Sequence, residues 1–230
     1  MNKFVRELDI NKLLFIDIET ASQLPELDPK SELFKIFQYK HRDRETEKLP
    51  TVKETQEIYK KTAALSPVYN MIVAFGISYV KDNQITTKIL TGDEKDILTE
   101  AYKIITDSKR LVCGFNSTGF DLPTIRVRAS TYNIQCPEFI NDCMSKPWIQ
   151  DEKSPDLLKI IQGTGYSRMS LDEACYLYQI KSPKNTGVKG SEVSNEYHTN
   201  GIERIKTYLE ADMYSTVNLF LRLQGKPIIE

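Results

Sequence analysis

Histidine and cysteine are scarce in this chain. Two histidines, His41 and His198, and four cysteines, Cys113, Cys136, Cys143 and Cys175, are spread over 230 residues. No C-x-x-C pair occurs, and no Cys/His spacing suits a zinc site. Cys113 and Cys175 lie in apolar segments, so the cysteines read as reduced core or near-core residues, and a catalytic Cys–His pair is unsupported. Excess charge is missing too: the formal net charge is −1, which gives no global attraction to nucleic acid and leaves any such binding to local surfaces. No apolar run approaches the roughly 20 residues of a membrane helix. Residues 1–10 alternate charged and apolar side chains, unlike a signal peptide. The expectation is a cytoplasmic protein with no membrane partner. Internal repeats and low-complexity tracts are absent.

What is present supports a folded α/β domain. Hydrophobic residues make up 40% of the chain, enough for a real core, and 27% are charged, as in ordinary globular proteins. Leu13-Leu14-Phe15-Ile16-Asp17-Ile18-Glu19-Thr20 opens as an apolar run of strand length within an expected strand at 11–19. Side chains alternate across a strand, so Leu13, Phe15, Asp17 and Glu19 share one face, and Leu14, Ile16 and Ile18 the other. Both faces being apolar marks a central strand. Two carboxylates there either mark the solvated end of the strand or are compensated by a metal ion or a partner cation.

Downstream, residues 21–66 read as a helical excursion, with helices at 31–39 and 52–64 and a loop at 45–51. A strand at 71–80, turn chemistry at Lys81-Asp82-Asn83 and a partner strand at 84–90 form an expected hairpin. A helix to about residue 108, a short strand at 111–115 and a helix at 122–132 follow. Ser170 and Glu173 have the spacing of a capping box. Residues 181–199, rich in Gly, Ser, Pro and Lys, read as a loop. Asn200 is the expected N-cap of the last helix, which Gly225 and Pro227 close. Ile202, Ile205, Leu209, Met213, Thr216 and Phe220 form its apolar stripe, and Asp212 lies on that stripe one turn after Tyr208.

Carboxylates therefore stand at otherwise apolar positions on several elements: Asp17 and Glu19, Asp121 beyond the 111–115 strand, and Asp212. Left alone, such a group repels itself and takes up protons; a divalent cation removes the penalty. All-oxygen donors select Mg²⁺ or Mn²⁺. Two such ions about 4 Å apart would clamp the attacking and leaving oxygens of a phosphodiester displacement.

In order, Asp17-Ile18-Glu19, then Gly114-Phe115-Asn116-Ser117-Thr118-Gly119-Phe120-Asp121, then Tyr208-x-x-x-Asp212 resemble the three motifs of DEDDy-family 3′–5′ exonucleases. The likeness is to the proofreading domain of family B DNA polymerases and its stand-alone relatives, and it spans about residues 11–223. It implies a ribonuclease H-like fold, a mixed central sheet flanked by helices. It also implies a single exonuclease domain over 1–230 with a helical insertion at about 21–66. By the same resemblance Asp17, Glu19 and Asp212 would hold one ion, and Asp17 with Asp121 a second. Tyr208 would orient the attacking water. The histidine branch of the family has His five residues before the last Asp, where this chain has Thr207. Asn116 and Phe120 would contact the terminal nucleotide, and Thr20 and Lys184 complete the expected substrate-binding set.

The implied activity is hydrolysis at the 3′ end of single-stranded DNA with release of nucleoside monophosphates; replication or repair proteins are partners it leaves open. An RNA 3′-end trimming enzyme and a catalytically weak nucleic-acid-binding module on the same fold are the alternatives. Asp156 reads more as a strand-end carboxylate than as a site residue. Lys184 and Lys189 are each either a phosphate contact or a solvated loop lysine, and at least one of Arg126 and Arg128 is expected at the surface.

Overall fold

The computed structural model describes residues 3–146, 154–163, 169–181 and 187–229. A short helix α1 (Lys3–Glu7) and a 3₁₀ turn (Ile10–Lys12) lead into β1 (Leu13–Ser22). Then come α2 (Glu32–Lys40), α3 (Val52–Thr62), a 3₁₀ turn (Ala63–Leu65), β2 (Asn70–Lys81), β3 (Gln84–Thr91), α4 (Glu94–Ser108) and β4 (Leu111–Cys113). Next are α5 (Asp121–Thr131), α6 (Glu138–Ser145), α7 (Leu157–Gln162) and α8 (Leu171–Leu177). A 3₁₀ turn (Gly190–Glu192), α9 (Val193–Asn200) and α10 (Glu203–Leu223) complete the described residues.

The four strands form one mixed sheet in the order β3-β2-β1-β4. β1 runs antiparallel to β2 and parallel to β4. The β2–β3 hairpin turns at Asp82 and Asn83, both with positive φ (51° and 58°), the geometry of a two-residue turn that matches strand twist and that Asp and Asn tolerate.

Helices cover both faces. Leu13, Phe15, Ala21 and Val73 pack with Ile205, Leu209, Met213, Val217 and Phe220 of α10. Leu14, Ile16, Ile18, Phe75 and Ile77 pack with α4, α5 and α6 on the opposite face. This is the alternation read from β1, and it makes β1 the shared wall of two cores. The architecture is ribonuclease H-like, a mixed four-stranded sheet flanked by helices. The excursion after β1 contributes its own cluster of Leu27, Phe34, Phe37, Tyr59, Ala63 and Tyr69. It is tied back at the Ala64 carbonyl, which accepts from Thr20 Oγ1 (2.7 Å) and Asn70 Nδ2 (3.0 Å).

Two expectations at the C-terminal end are corrected. Residues 193–200 are helical rather than loop: α9 buries Val193 and is fastened to the end of β1 by Ser194 and His198. Asn200 is the last residue of α9, not the cap of α10; its side-chain amide donates to Glu196 at 3.0 Å, and Ile202 precedes α10 with no side-chain cap. Gly225, at φ 74°, ends α10 as expected.

Candidate active site

Two elements build the centre of the site. Beyond Phe15 the row of β1 side chains facing α10 continues as Asp17 and Glu19, before a bulge between Glu19 and Thr20 ends the regular register. α10 carries Tyr208 and Asp212 one turn apart. What lets the two meet is Gly76, paired opposite Asp17 on β2. A Cβ there would stand 2.8 Å from Met213 Cγ and Sδ and 3.2 Å from Leu209 Cδ1. Having none, Gly76 allows α10 to lie directly on the sheet beside Asp17.

Asp17, Glu19 and Asp212 each offer a carboxylate oxygen, and these oxygens lie within 4.8 Å of one another. Asp121 joins them from the first turn of α5. Its Oδ1 accepts the Ile18 amide at 2.9 Å, and its carboxylate is close enough to Asp17 to feel that charge. Glu19, Asp121 and Asp212 are buried and Asp17 is half-buried. Burial pushes Asp17 up to about 7 and, with the Asp17 charge, Asp212 up to about 8. Burial first and then the neighbouring carboxylates raise Glu19 and Asp121 well above the usual range. A divalent cation fits this donor set. The donors are all oxygen, their crowding is what a cation relieves, and the buried Asp212 Oδ1 has no hydrogen-bond partner.

Tyr208 is half-buried, one helical turn before Asp212; burial, then the Asp212 and Glu19 charges, push its phenol far above its ordinary value. The 3₁₀ turn before α9 passes over it, with the Cβ position of Gly190 3.7 Å from the hydroxyl.

The remaining expected residues divide. Asn116 is exposed and left-handed (φ 59°), and Phe120 is half-buried just before α5. Thr20 is buried with its hydroxyl committed to the Ala64 carbonyl, so it anchors the bulge to the excursion. Lys184 lies outside the described residues. Lys189 is exposed, 3.8 Å from Glu192. Arg126 is exposed and donates to Asn141. Arg128 is buried, forked onto Glu94, which also accepts from the Ile72 amide (2.7 Å) and the Tyr132 hydroxyl (2.8 Å).

Two residues gained importance only in three dimensions. Asp172, in the first turn of α8, adds its charge to those acting on Asp212. The capping box located that turn, but nothing local says which helix it faces. Asp156 is the N-cap of α7 rather than a strand-end carboxylate; it makes an isolated bridge to Gly114 and holds the loop that leads to Asp121.

No curated protein matches the sequence. Among solved structures, the chain is similar to a family B DNA polymerase from the hyperthermophilic archaeon Pyrobaculum calidifontis, with a TM-score of 0.55 at 13% identity, over 93% of this chain and 24% of the polymerase. At that identity the likeness is one of fold, and this chain spans about a quarter of the polymerase's length. Residues 62–226 match the family described as predicted 3′–5′ exonuclease related to the exonuclease domain of PolB. With that match over most of its length, and with clustered carboxylates on a ribonuclease H-like sheet, the chain belongs to this family of predicted 3′–5′ exonucleases related to the PolB exonuclease domain.

Proposed function

We propose that the protein is a DEDDy-type 3′–5′ exonuclease that hydrolyses single-stranded DNA from its 3′ end and releases nucleoside monophosphates. The observation that carries this reading is the convergence of the Asp17, Glu19 and Asp212 oxygens within 4.8 Å, with Asp121 held beside Asp17 by the Ile18 amide and Tyr208 one turn before Asp212 on α10. Asp17, Glu19 and Asp212 would hold one Mg²⁺ or Mn²⁺, and Asp17 with Asp121 a second. Bound there, the ions would supply Lewis-acid stabilisation and lower the pKa of water.

The chain's own groups have separable tasks. Tyr208, kept protonated by its raised pKa, donates or accepts a hydrogen bond to align the attacking water and is no general base at neutral pH. Asn116 and Phe120, on the loop before α5, meet the terminal sugar and base. Asp121, fixed by the Ile18 amide, keeps its second oxygen for the shared cation. With a net charge of −1, nucleic acid would be held by local contacts at the site rather than by a long-range field.

The test offers 5′-labelled linear single-stranded DNA, the same strand circularised, and the matching RNA, each with Mn²⁺. The expected result is stepwise shortening of the linear DNA from its 3′ end with the circle intact. Cutting of the circle, or release of the 5′ label first, overturns the reading. Faster shortening of the RNA moves the substrate assignment to RNA.

A further inference from the structure

The buried carboxylate of Asp156 does more than cap its own helix. Asp156 precedes α7 and is 1% exposed. A cap needs one acceptor, and Oδ1 supplies it to the Leu158 amide at 3.0 Å. Three further hydrogen bonds come from a segment about 40 residues earlier in the chain. The Asn116 amide donates to Oδ1 at 2.9 Å, and the Thr118 amide and hydroxyl donate to Oδ2 at 3.0 and 2.7 Å. The backbone locks the same junction, with Leu157 N–H on the Gly114 carbonyl at 2.9 Å. A Cβ on Gly114 would meet Ile16 O at 2.8 Å, so this junction sits hard against β1.

The consequence reaches the loop tip. With its amide drawn inward, Asn116 takes the left-handed conformation, φ 59°, which Asn tolerates better than most residues. Its carbonyl then accepts the Gly119 and Phe120 amides, both at 3.0 Å. Its side-chain oxygen folds over Gly119, where any Cβ would lie 2.4 Å away. Phe120 and Asp121 follow at the start of α5.

We infer that Asp156 is a positioning residue for substrate: by holding the Asn116 and Thr118 amides it shapes the 116–120 loop to receive the 3′-terminal nucleotide of a nucleic acid strand. The inference rests on the function proposed above for Asn116 and Phe120.

Asp156→Asn tests it. An amide keeps one acceptor oxygen and turns an NH₂ toward the loop donors. For a single-stranded oligothymidylate with Mn²⁺, KM is expected to rise about 10-fold or more while kcat changes less than about 3-fold. Amide exchange at Asn116 and Thr118 should accelerate. Thr118→Val, which removes one donor of the same network, should shift KM the same way by a smaller factor. Unchanged KM and unchanged protection of the two amides would overturn the inference. So would a fall in kcat at constant KM, the mark of a lost folded fraction and of a helix cap only. If the unsubstituted protein cleaves no nucleic acid, the proposed function fails. Anisotropy of labelled oligothymidylate then decides this inference separately: weaker binding by Asp156→Asn with faster exchange supports it, and unaltered binding overturns it.

Discussion

Tyr208 and Asp212 are a turn apart on α10, yet their loss should have different consequences. Asp212→Ala removes a donor from the three-carboxylate cluster, and turnover should become undetectable. Tyr208→Phe keeps the ring and its packing and removes only the hydroxyl. It should slow hydrolysis by roughly 10²–10⁴-fold, the scale of a positioned proton-handling group, with DNA affinity nearly unchanged. Single-turnover rates and a binding isotherm for each variant check this, and parental rates in Tyr208→Phe would reduce Tyr208 to a core aromatic. At this scale the sequence was readable wherever a polar group interrupted an apolar pattern. Asp17 and Glu19 break the β1 alternation and Asp212 breaks the α10 stripe, so each announced itself. Asp156 and Asp172 did not, because each sits at a helix start, where a carboxylate has an ordinary reason to be. What sets them apart is a partner from a distant part of the chain.

Among the elements, the contact between α10 and β2 decides whether the carboxylates meet. It is made at Gly76, opposite Asp17. Gly76→Val would drive a branched side chain into Met213 and Leu209 and lift α10 from the sheet. Overpacking of this kind costs about 1–3 kcal/mol, or about 2–12 °C in Tm for a chain of this size. Activity should fall by more than the loss of folded protein explains, because Asp212 leaves the cluster. A Tm scan beside kcat at a temperature where the variant stays folded checks it; full kcat would show that the close contact is dispensable. β1, the β2–β3 hairpin, α4, α5 and the body of α10 were legible in the sequence, since each has a long period or a turn signal. α9 was not. Its packing toward the core rests on Val193 and Tyr197, too sparse a stripe to register. Polar contacts of Ser194 and His198 with Ser22 hold it instead. The same helix misdirected the start of α10, because Asn200 has the chemistry of an N-cap but its amide is engaged by Glu196.

For the whole molecule, the crowded carboxylates link stability to pH and to metal. Asp17 at about 7 and Asp212 at about 8 stand above their unfolded value of 3.8. A raised folded-state value means the folded protein keeps protons that the unfolded chain has released. This contribution is complete below about pH 4 and is lost as pH rises through about 7 to 8. Metal-free protein should therefore lose at least about 4 °C of Tm between about pH 5.5 and about pH 8.5. Mn²⁺ should restore more at the higher pH, where it replaces the missing protons. Calorimetry with and without chelator reads this, and an apo Tm that climbs across the window would contradict it. The central claim is that these carboxylates form a cation-dependent hydrolytic centre. Its most direct test is a time course on a 5′-labelled single DNA strand, with wild-type and Asp17→Ala protein side by side, in Mn²⁺ and in excess chelator. A single-nucleotide ladder is expected only for wild-type protein with Mn²⁺; an equal ladder in chelator, or from Asp17→Ala, would rule out a cation-dependent centre at these carboxylates.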